Sequence, residues 1–480
     1  MTQQWPGVVP AVPTWELRAL ETELAPLADK RGAVIQLGSL NGTPRLEGHA
    51  PTWQDVVDLG HACSDAWYRL GGRTREVVVD MTTPEHADPG GAEPVALGSL
   101  GVPPDRTDVL VVGGGICGLV VGLKLAVLGN DVTVIEAGLS WGSHTTTWNN
   151  GMVHSGFDPK PGTAKALHNV RGNVMWDRLA DDLGIRLRRA GSVVVSLDEA
   201  ADRHVEEYLA RAQANGVPRT EILSGDQMRA IEPRLSRAVI RALVTPTTGF
   251  VEPVEVCQAA ARGVRLAGGR VVLGCRVTGV SVEAGRITGV TTTAGPIACR
   301  VLINAAGIHA DEIAELAGAR SFSLHPRRGT LILLEDDRTN PYQLCVGPVP
   351  SAYTKGGGVT LRPSGTLSLG PSAVEQPGRT DPHPTPDEII GIFDQSYRIF
   401  PGLDAGAVVA VGAQLRASSY GEDFVVGPAP GVAGFYNVAA MQSPGVASIP
   451  SVANQVADDL LGLGAITTTT ERFYDLWRKQ

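Results

Sequence analysis

The chain has 480 residues, of which 43% are hydrophobic, so it can bury a large core and is expected to divide into at least two domains. Its formal charge of −9 has no basic block to offset it, which excludes a general nucleic-acid binder. The six cysteines are scattered, with no CxxC pair and no close Cys/His set, so no structural zinc, redox dithiol or other metal site is predicted. The start, MTQQWPGVVP, lacks the profile of a secretory signal, and no apolar run approaches the roughly 20 residues that span a bilayer. A cytoplasmic protein without an integral membrane segment is expected.

Residues 1–80 are predicted to form a small α/β module. Leucines at helical spacing in TWELRALETELAPLADK and the pattern of TWQDVVDLGHACSDAWYRLGG predict two helices, while GAVIQLG and REVVVDM predict short strands. Trp53, Trp67 and Tyr68 are expected to pack in the core of this module. Residues 81–106 are rich in Pro, Gly and Ala and are predicted to be a linker.

From Thr107 onward, the sequence alternates between strand and helix patterns, which predicts an α/β fold. The apolar run DVLVVGGG predicts a strand that is buried on both faces, GLVVGLKLAVLG predicts a helix, and DVTVIEA predicts a second strand. Further strands are predicted at GSVVVSL, GRVVLGCRVTGVSVEAGRITGVTTTAG, RVLINAAG, GTLILLE, GVTLRPSGTLSLGP and GFYNVAA. Further helices are predicted at GTAKALHNVRGNVMWDRLADDLG, PVEVCQAAARGVRLAGG, PDEIIGIFDQSYRIF and SVANQVADDLLGL.

A GxGxxG motif lies between the first of these strands and its helix. Gly113 permits a tight turn, Gly115 lets the backbone approach a pyrophosphate, and Gly118 allows the helix to pack closely on the strand. The second strand ends in Glu136, which is placed to bond a ribose hydroxyl and would repel a 2′-phosphate, so NADP is disfavoured. These residues predict a dinucleotide site, with a glycine turn that binds nothing as the alternative. They do not distinguish FAD from NAD.

Several stretches occur in the order typical of one family: VLVVGGGICGLVVGLKLAVLGNDVTVIEAG, NNGMVHSG, VLINAAGIHADEIAELAG, GTLSLGPSA and NVAAMQSPGVASIPSVANQVADDLL. Together they resemble the FAD-dependent oxidoreductases of the D-amino-acid oxidase type, and within it they are most similar to the L-2-hydroxyglutarate and glycerol-3-phosphate dehydrogenases. The resemblance covers roughly Thr107 to Leu461 and leaves out the N-terminal module. It implies FAD as the cofactor and a Rossmann-like FAD-binding domain, interleaved with a substrate domain built on an antiparallel or mixed sheet.

The resemblance also implies how the chain is shared between these domains. The FAD-binding domain is expected to comprise 107–190, 250–320 and 412–480, the last with a C-terminal tail, and the substrate domain 191–249 and 321–411. Besides the motif glycines and Glu136, the residues expected to hold FAD are Asn150, the backbone of Val277, the turn Ala305, Ala306 and Gly307, and the helix start Ser443, Pro444 and Gly445. A helix N-terminus there would stabilise the negative charge of a reduced flavin.

His154 lies in NNGMVHSGFDPKPG, between Gly151 and Gly156, where small neighbours let the backbone pass close to a planar ring. Oxidation of an alcohol or amine by a flavin moves a hydride to N5, and the heteroatom must also lose a proton. Histidine, with an ordinary pKa near ~6.5, suits this proton transfer at neutral pH. We therefore predict that His154 contacts flavin or substrate and acts as the base. A purely positional role and covalent attachment of the flavin are the alternatives.

Two arginines are predicted to bind the anionic end of a substrate, because a guanidinium can hold a carboxylate through two hydrogen bonds. Arg416 matches an arginine that grips the substrate carboxylate in amino-acid-oxidising relatives, but Gln414 and Ala417 replace the family's glycine and proline. Arg362, in TLRPSGTLSLGP, lies in the strand region expected to cover the flavin. Both are assigned to the catalytic site together with His154, and a charge at a strand edge is the alternative for each.

The remaining polar residues near these motifs have less specific roles. Lys160 and Lys165, in GFDPKPGTAKA, could reach an anionic substrate but are expected to be solvated surface charges. Arg327 and Arg328 are expected to stabilise a turn before the strand GTLILLE. Three further residues are pocket candidates, with packing or loop hydrogen bonding as the alternative: Tyr353, Tyr420 and Gln442.

These features predict an enzyme that oxidises a CH–OH bond of a small anionic substrate, a 2-hydroxy acid or a polyol phosphate, by hydride transfer to flavin N5. An oxidase of CH–NH bonds in amino acids or amines is the first alternative, and a non-catalytic flavin-binding scaffold is the second. The lack of CxxC argues against a disulfide reductase, and the lack of a late Gly-Asp signature argues against a flavin monooxygenase. The electron acceptor, oxygen or a quinone-like carrier, stays open. So does the role of the N-terminal module, which could cap the pocket, mediate oligomerisation or recruit a pathway partner.

Overall fold

The computed structural model describes residues 4–86, 101–337, 339–350 and 357–468. Its α-helices are α1 (Thr14–Arg31), α2 (Trp53–Arg69), α3 (Ile116–Val127), α4 (Ala164–Leu183), α5 (Glu199–Ala214), α6 (Gly225–Ile231), α7 (Pro253–Leu266), α8 (Ala310–Leu316), α9 (Pro386–Ile399) and α10 (Gly445–Gly462). Its strands are β1 (Val34–Leu40), β2 (Thr43–His49), β3 (Val78–Thr82), β4 (Arg106–Val112), β5 (Val132–Ile135), β6 (Met152–Val153), β7 (Ser192–Val195), β8 (Glu221–Ser224), β9 (Arg241–Thr245), β10 (Gly249–Phe250), β11 (Arg270–Val272), β12 (Val277–Glu283), β13 (Arg286–Thr292), β14 (Gly295–Asn304), β15 (Leu324–Glu335), β16 (Val346–Pro348), β17 (Gly358–Leu361), β18 (Thr366–Gly370), β19 (Val374–Glu375), β20 (Val408–Ser419), β21 (Val425–Pro428) and β22 (Phe435–Ala439). The predicted linker 81–106 lies partly outside the described residues, and the tail beyond residue 468 lies wholly outside them. Across the described ranges, no helix has both the length and the apolar character that crossing a membrane requires.

The first large sheet has eight strands within the described residues and a parallel centre. Its parallel strands run in the order β11–β5–β4–β14–β22. β13 and β12 extend the sheet from β14, and β21 extends it from β22, in antiparallel pairing. β4 and β5 are apolar because α3, α7 and α10 pack on one face of the sheet and α8 packs on the other. This arrangement agrees with the predicted Rossmann-like α/β fold.

The second large sheet has nine strands within the described part of the chain and mixes antiparallel with parallel pairs. Its strands follow the order β19–β15–β18–β17–β16–β7–β9–β8, and β20 also pairs with β15. Helices α6 and α9 pack against it through a cluster of apolar side chains. This is the mixed sheet that was predicted beside the Rossmann-like part.

Two predictions about the second sheet differ from the structure. The boundary expected between residues 411 and 412 falls inside β20, which pairs with β15 along its length. Because a boundary there would interrupt a continuous ladder of backbone pairing, β20 belongs to the second sheet as far as Ser419. Arg327 and Arg328 were expected in a turn but lie within β15, where the pairing with β20 continues through both residues.

The N-terminal module consists of α1, α2 and a three-stranded sheet in the order β1–β2–β3. β1 and β2 form an antiparallel hairpin and β3 joins β2 in parallel, in agreement with the predicted small α/β extension. The strand β2 was not predicted, because Pro44 and Gly48 interrupt its pattern. Trp53 and Trp67 are buried as expected. Tyr68 is instead 50% exposed, because it lies on the outer face of α2.

Hydrogen bonds hold the module against the rest of the chain. The Ser323 N–H donates to the Val77 carbonyl at 3.2 Å, and the Val79 N–H donates to Ser323 Oγ at 3.0 Å. The Arg320 guanidinium donates to Asp80 Oδ1 at 2.8 Å. Backbone and side-chain contacts together therefore define how β3 docks beside the start of β15.

Candidate active site

A cavity of about 860 Å³ gathers residues from the two large sheets and from the N-terminal module. This volume lies in the range of cofactor and small-molecule sites, about 300–1,000 Å³. Turns of the first sheet contribute Gly115, Ala305 and Gly307, and the second sheet contributes Thr360 and Arg416. The module contributes His61, Asp65 and Arg75.

The turn between β4 and α3 requires glycine at two positions. Gly113 has a φ of +113°, and a Cβ placed on it would lie under 3.0 Å from the Ala305 carbonyl oxygen. A Cβ on Gly118 would lie under 3.0 Å from the Gly113 carbonyl oxygen, so the helix packs directly on the turn. Gly115 differs, because it caps α3 and lines the cavity, and a Cβ there would meet only Thr146 Oγ1 at 3.4 Å. The missing side chain leaves the helix N-terminus accessible to an anionic group.

Glu136 follows β5, and its carboxylate is buried behind the glycine turn. The Gly114 N–H donates to Oε2 and the Gly138 N–H donates to Oε1, each at 2.7 Å. Each oxygen keeps a second lone pair that a ribose hydroxyl could use. Glu136 is not among the residues that line the cavity, so its contact with a ribose stays a prediction.

The other predicted cofactor residues fall into two groups. Six of them line the cavity: Asn150, Ala305, Gly307, Ser443, Pro444 and Gly445. Helix α10 begins at Gly445, so its N-terminal end lies in the cavity wall. Ala306 and Val277 are not lining residues, since Ala306 precedes a short 3₁₀ turn and Val277 is buried at the start of β12. Their contact with a cofactor also stays a prediction.

His154 lies in the cavity wall just after β6, with a buried side chain. Its backbone carbonyl accepts hydrogen bonds from Asn169 Nδ2 at 2.6 Å and from Asn173 Nδ2 at 2.9 Å, both on α4. Its Nε2 lies 3.3 Å from Ser443 Oγ, just before α10. The two asparagines hold the backbone of this loop, which brings the imidazole into the same cavity as the glycine turn.

Arg416 lies on β20, lines the cavity and has no ion-pair partner among the described residues. Its Nη2 donates to the Ser372 carbonyl at 2.7 Å. Burial, together with the nearby charge of Arg327, lowers the pKa of this guanidinium to about 10, so it is protonated at neutral pH. Arg416 is partly buried, and the charges of Glu375 and Glu422 act on it without a direct ion pair. A cation in the cavity wall that no described carboxylate contacts directly is suited to bind an anionic group.

Arg362 does not reach the cavity. It forms a buried ion pair with Glu252, which precedes α7 and also accepts a hydrogen bond from the Ser364 N–H at 3.1 Å. The predicted substrate contact was based on the strand region around Arg362, and the sequence did not show that Glu252 would meet it. Because Glu252 neutralises this guanidinium outside the cavity wall, we do not propose a substrate contact for it.

Lys165 is buried in the cavity wall, although it was expected to be a solvated charge. Its side chain is 12% exposed, and Nζ lies 3.6 Å from Glu422 Oε2. Burial lowers the pKa of Lys165, while Glu422 and Asp423 partly offset that effect. Lys160 is exposed, as expected.

Three residues were predicted to lie in the pocket, and the structure places two of them in the cavity wall. Tyr420 and Gln442 line the cavity, whereas Tyr353 lies outside the described residues. His61 and Glu422 also line the cavity, and sequence reasoning missed both. No local motif surrounds either residue, so no signal in the sequence indicated that they would meet.

Sequence comparison agrees with this geometry. The family model described as "FAD dependent oxidoreductase" matches residues 108–459. The chain belongs to this family. The glycerol 3-phosphate dehydrogenase of Caloramator mitchellensis is 29% identical to this FAD-dependent oxidoreductase over 366 residues, which are 76% of this chain and 76% of the relative. The L-2-hydroxyglutarate dehydrogenase of Indibacter alkaliphilus is 29% identical over 273 residues, which are 55% of this chain and 67% of the relative.

The fold of this FAD-dependent oxidoreductase is that of a solved structure. Dithionite-reduced L-alpha-glycerophosphate oxidase from Mycoplasma pneumoniae, solved with FAD bound, matches with a TM-score of 0.71 at 22% identity, covering 77% of this chain and 97% of that one. The residues present fit FAD, because Gly113 and Gly118 form a turn without room for side chains, and Gly115 and Gly445 bring two helix N-termini to one cavity. The predicted family, fold class and cofactor are thereby confirmed.

Proposed function

We propose that this enzyme oxidises a CH–OH bond of a small anionic substrate, either a 2-hydroxy acid or a polyol phosphate. The observation that carries the proposal is the partly buried Arg416 cation, which lies in the same cavity as His154 and the glycine turn. The names of two relatives support it, because glycerol 3-phosphate and L-2-hydroxyglutarate each combine a hydroxyl group with an anionic group.

In this proposal, the residues of the chain hold the cofactor, bind the substrate and move its proton. FAD, when bound, supplies the acceptor for the hydride. Gly115 and Gly445 would hold it at two helix N-termini, and Glu136 would bond its ribose. The Arg416 guanidinium would bind the anionic end of the substrate. His154 Nε2, which lies near Ser443 Oγ, would take the hydroxyl proton.

We also propose that the N-terminal module caps one side of the cavity, because His61, Asp65 and Arg75 lie in the cavity wall. Oxygen or a quinone-like carrier as the electron acceptor, an oligomer contact or pathway partner through this module, and a cytoplasmic location stay predictions from the sequence.

Anaerobic bleaching of the flavin absorbance tests the class of substrate. The FAD-loaded enzyme is mixed with glycerol 3-phosphate, with a series of 2-hydroxy acids that includes L-2-hydroxyglutarate, with neutral alcohols and with amino acids. We expect bleaching only by hydroxy compounds that carry an anionic group. Bleaching by amino acids alone would favour CH–NH oxidation, and a flavin that no hydroxy acid or polyol phosphate bleaches would overturn the proposal.

Arg416→Gln tests the residue on which the proposal depends. We expect kcat/KM for the anionic substrate to fall by about 100-fold or more, because losing one partner of a buried charge contact costs about 2–5 kcal/mol. FAD content should stay unchanged. Arg398→Gln, at an exposed position on α9, is the matched control. If both variants have the same kcat/KM, Arg416 does not bind the substrate.

A further inference from the structure

Three side chains that can bind a metal meet where the N-terminal module touches the second sheet. His61 lies on α2, His325 lies on β15, and Glu422 lies in the loop after β20. One ligand atom from each residue lies within 4.8 Å of the other two. None of the three has a role in the hydride transfer proposed above.

The hydrogen bonds of the two imidazole rings decide which nitrogen carries the proton. His61 Nδ1 lies 2.9 Å from the Tyr420 carbonyl oxygen, which can only accept, so Nδ1 is the donor and Nε2 carries the lone pair. His325 Nδ1 likewise donates to Glu375 Oε2 at 2.7 Å. A histidine that binds a metal typically donates its other ring nitrogen to a carbonyl or carboxylate, and this bond orients the lone pair toward the ion.

His325 Nε2 is a buried lone pair that lacks a donor. The residue is 0% exposed, and among the described residues its Nε2 has no hydrogen-bond partner. Nearly all buried polar atoms in proteins are satisfied by protein groups, water or an ion. A cation at this point would satisfy the nitrogen.

Glu422 supplies a carboxylate that is already oriented. Arg327 Nη2 donates to its Oε1 and Gln442 Nε2 donates to its Oε2, each at 2.7 Å. Its Oε1 also lies 3.8 Å from His61 Nε2. Its carboxylate also forms an ion pair with Arg327 and lies 3.6 Å from Lys165 Nζ, so two cations hold it in place. Carboxylates that bind metals are commonly held by such neighbouring hydrogen bonds.

The charges and distances of the cluster suit a zinc-type ion. His61 Nδ1 donates to the Tyr420 carbonyl, so Nε2, which lies 3.8 Å from Glu422 Oε1, is the nitrogen that can bind an ion. Two imidazoles and one carboxylate are typical zinc ligands and bind at about 2.0–2.2 Å from the ion. Ligand atoms around such an ion lie about 3.4 Å apart, so side-chain rotations that bring these atoms closer by up to about 1.4 Å would complete the site.

We propose that His61, His325 and Glu422 bind a divalent transition metal ion of the zinc type, and that the ion ties the N-terminal module to the second sheet. His61 and Glu422 also line the cavity, so water from the cavity can occupy a fourth ligand position. The role of the ion is structural and includes no redox step.

The zinc content of the purified enzyme tests this proposal. The full-length, FAD-loaded enzyme is treated with a chelator, dialysed against a small excess of Zn²⁺, desalted and analysed by elemental mass spectrometry. We expect about one zinc per chain in the wild type and in the control His383→Ala, whose histidine is exposed. His61→Ala and His325→Gln should retain less than about one tenth of that amount, because each loses a ligand.

The melting temperature is the second measurement. Zn²⁺ should raise Tm for the wild type and for His383→Ala but not for His61→Ala, since only a folded protein with all its ligands binds the ion tightly. A wild type that retains no zinc would overturn the proposal, and so would equal zinc content in the wild type and His61→Ala. If His325→Gln fails to fold, His61→Ala decides the question, because His61 lies at the cavity wall rather than inside the second sheet.

Discussion

At the scale of single residues, the surroundings of each charged side chain decide what it can do. Arg362 is buried and Arg416 is partly buried, but Glu252 pairs with Arg362, whereas no described carboxylate forms an ion pair with Arg416. The carboxyl group of Glu76 is buried although the residue is partly exposed: Ser419 Oγ donates to its Oε1 at 3.4 Å, and its Oε2 has no partner among the described residues. Burial raises the pKa of Glu76 to about 8, so its carboxyl group is protonated at neutral pH.

Glu76→Gln should stabilise the protein, and the gain should grow as the pH rises. The pKa of about 8 in the folded state lies above the ordinary value of 4.5, so below pH 4.5 the group is protonated in both states and costs nothing extra. Between pH 4.5 and pH 8 only the folded state keeps the proton, so the wild type loses stability while the glutamine variant does not. The difference in free energy of unfolding should grow by up to about 2 kcal/mol between pH 6 and pH 8.

Urea unfolding at pH 6 and at pH 8 measures this difference. Glu283→Gln, at an exposed position on β12, is the control and should show no such change with pH. A gain for Glu76→Gln that is the same at both pH values would mean that Glu76 is not held protonated in the folded protein.

At the scale of secondary-structure elements, the unit β4–turn–α3 shows how one motif serves both folding and binding. Gly118 has the Gly113 carbonyl against it, so its missing side chain is needed for the helix to pack. Gly115 has space on its cavity side, so its missing side chain is needed for a ligand to approach the helix N-terminus. Two glycines of the same motif therefore have separate physical roles.

Gly115→Ala and Gly118→Ala form a matched pair that separates these roles. We expect Gly118→Ala to lose about 3 kcal/mol or more of unfolding free energy, because its methyl group overlaps backbone that cannot move easily. Gly115→Ala should stay within about 1 kcal/mol of the wild type and bind FAD about 10-fold or more weakly, because its methyl group occupies the approach to the helix. Denaturant unfolding and titration of the flavin-free protein with FAD provide the two readouts. Wild-type affinity for FAD in Gly115→Ala would show that the pyrophosphate does not approach there.

At the scale of the whole molecule, the cavity is complete only with the N-terminal module in place. His61 and Arg75 lie in the cavity wall, and the Tyr420 ring packs in the hydrophobic core of the module. Gly60 on α2 lies directly against this ring, since an added Cβ would lie under 3.0 Å from it. The module and the family-matched part of the chain therefore share a core, although the family model does not include the module.

Deleting residues 1–86 should lower turnover while FAD remains bound. The glycine turn and the start of α10 lie in the family-matched part, whereas the module supplies His61, Asp65 and Arg75 to the cavity wall. We expect kcat/KM to fall by about 10-fold or more, because the substrate loses contacts and the cavity opens to water. Flavin content per chain and steady-state rates measure the two effects. Unchanged turnover would contradict the capping role, and loss of FAD would show that the module supports the cofactor part instead.

Gly60→Ala disturbs the same contact without removing the module. Its methyl group would press on the Tyr420 ring, and such overpacking costs about 1–3 kcal/mol, more than the gain in helix propensity of about 1 kcal/mol. We expect a lower Tm and a lower kcat/KM than in the control Gln54→Ala, at an exposed position on α2. A Gly60→Ala variant that matches this control in both measurements would mean that the contact does not matter for the cavity.

The sequence by itself determined the features that depend on residues close together in the chain. The strand, the glycine turn and Glu136 follow from backbone sterics and local spacing, because Gly113 and Gly118 are needed wherever this turn forms. The positions of His154 and Arg416 in the cavity were also predicted, but from the resemblance to a family rather than from local physics.

Only the tertiary structure decided which charges are paired and which are buried. It gave Arg362 a partner in Glu252, placed Lys165 in the cavity wall with 12% of its side chain exposed, and brought His61 to 3.8 Å from Glu422. Desolvation and ion pairing depend on groups that lie far apart in the chain and meet only on folding. For this reason, local sequence patterns predicted the cofactor turn, whereas the electrostatics of the cavity required the fold.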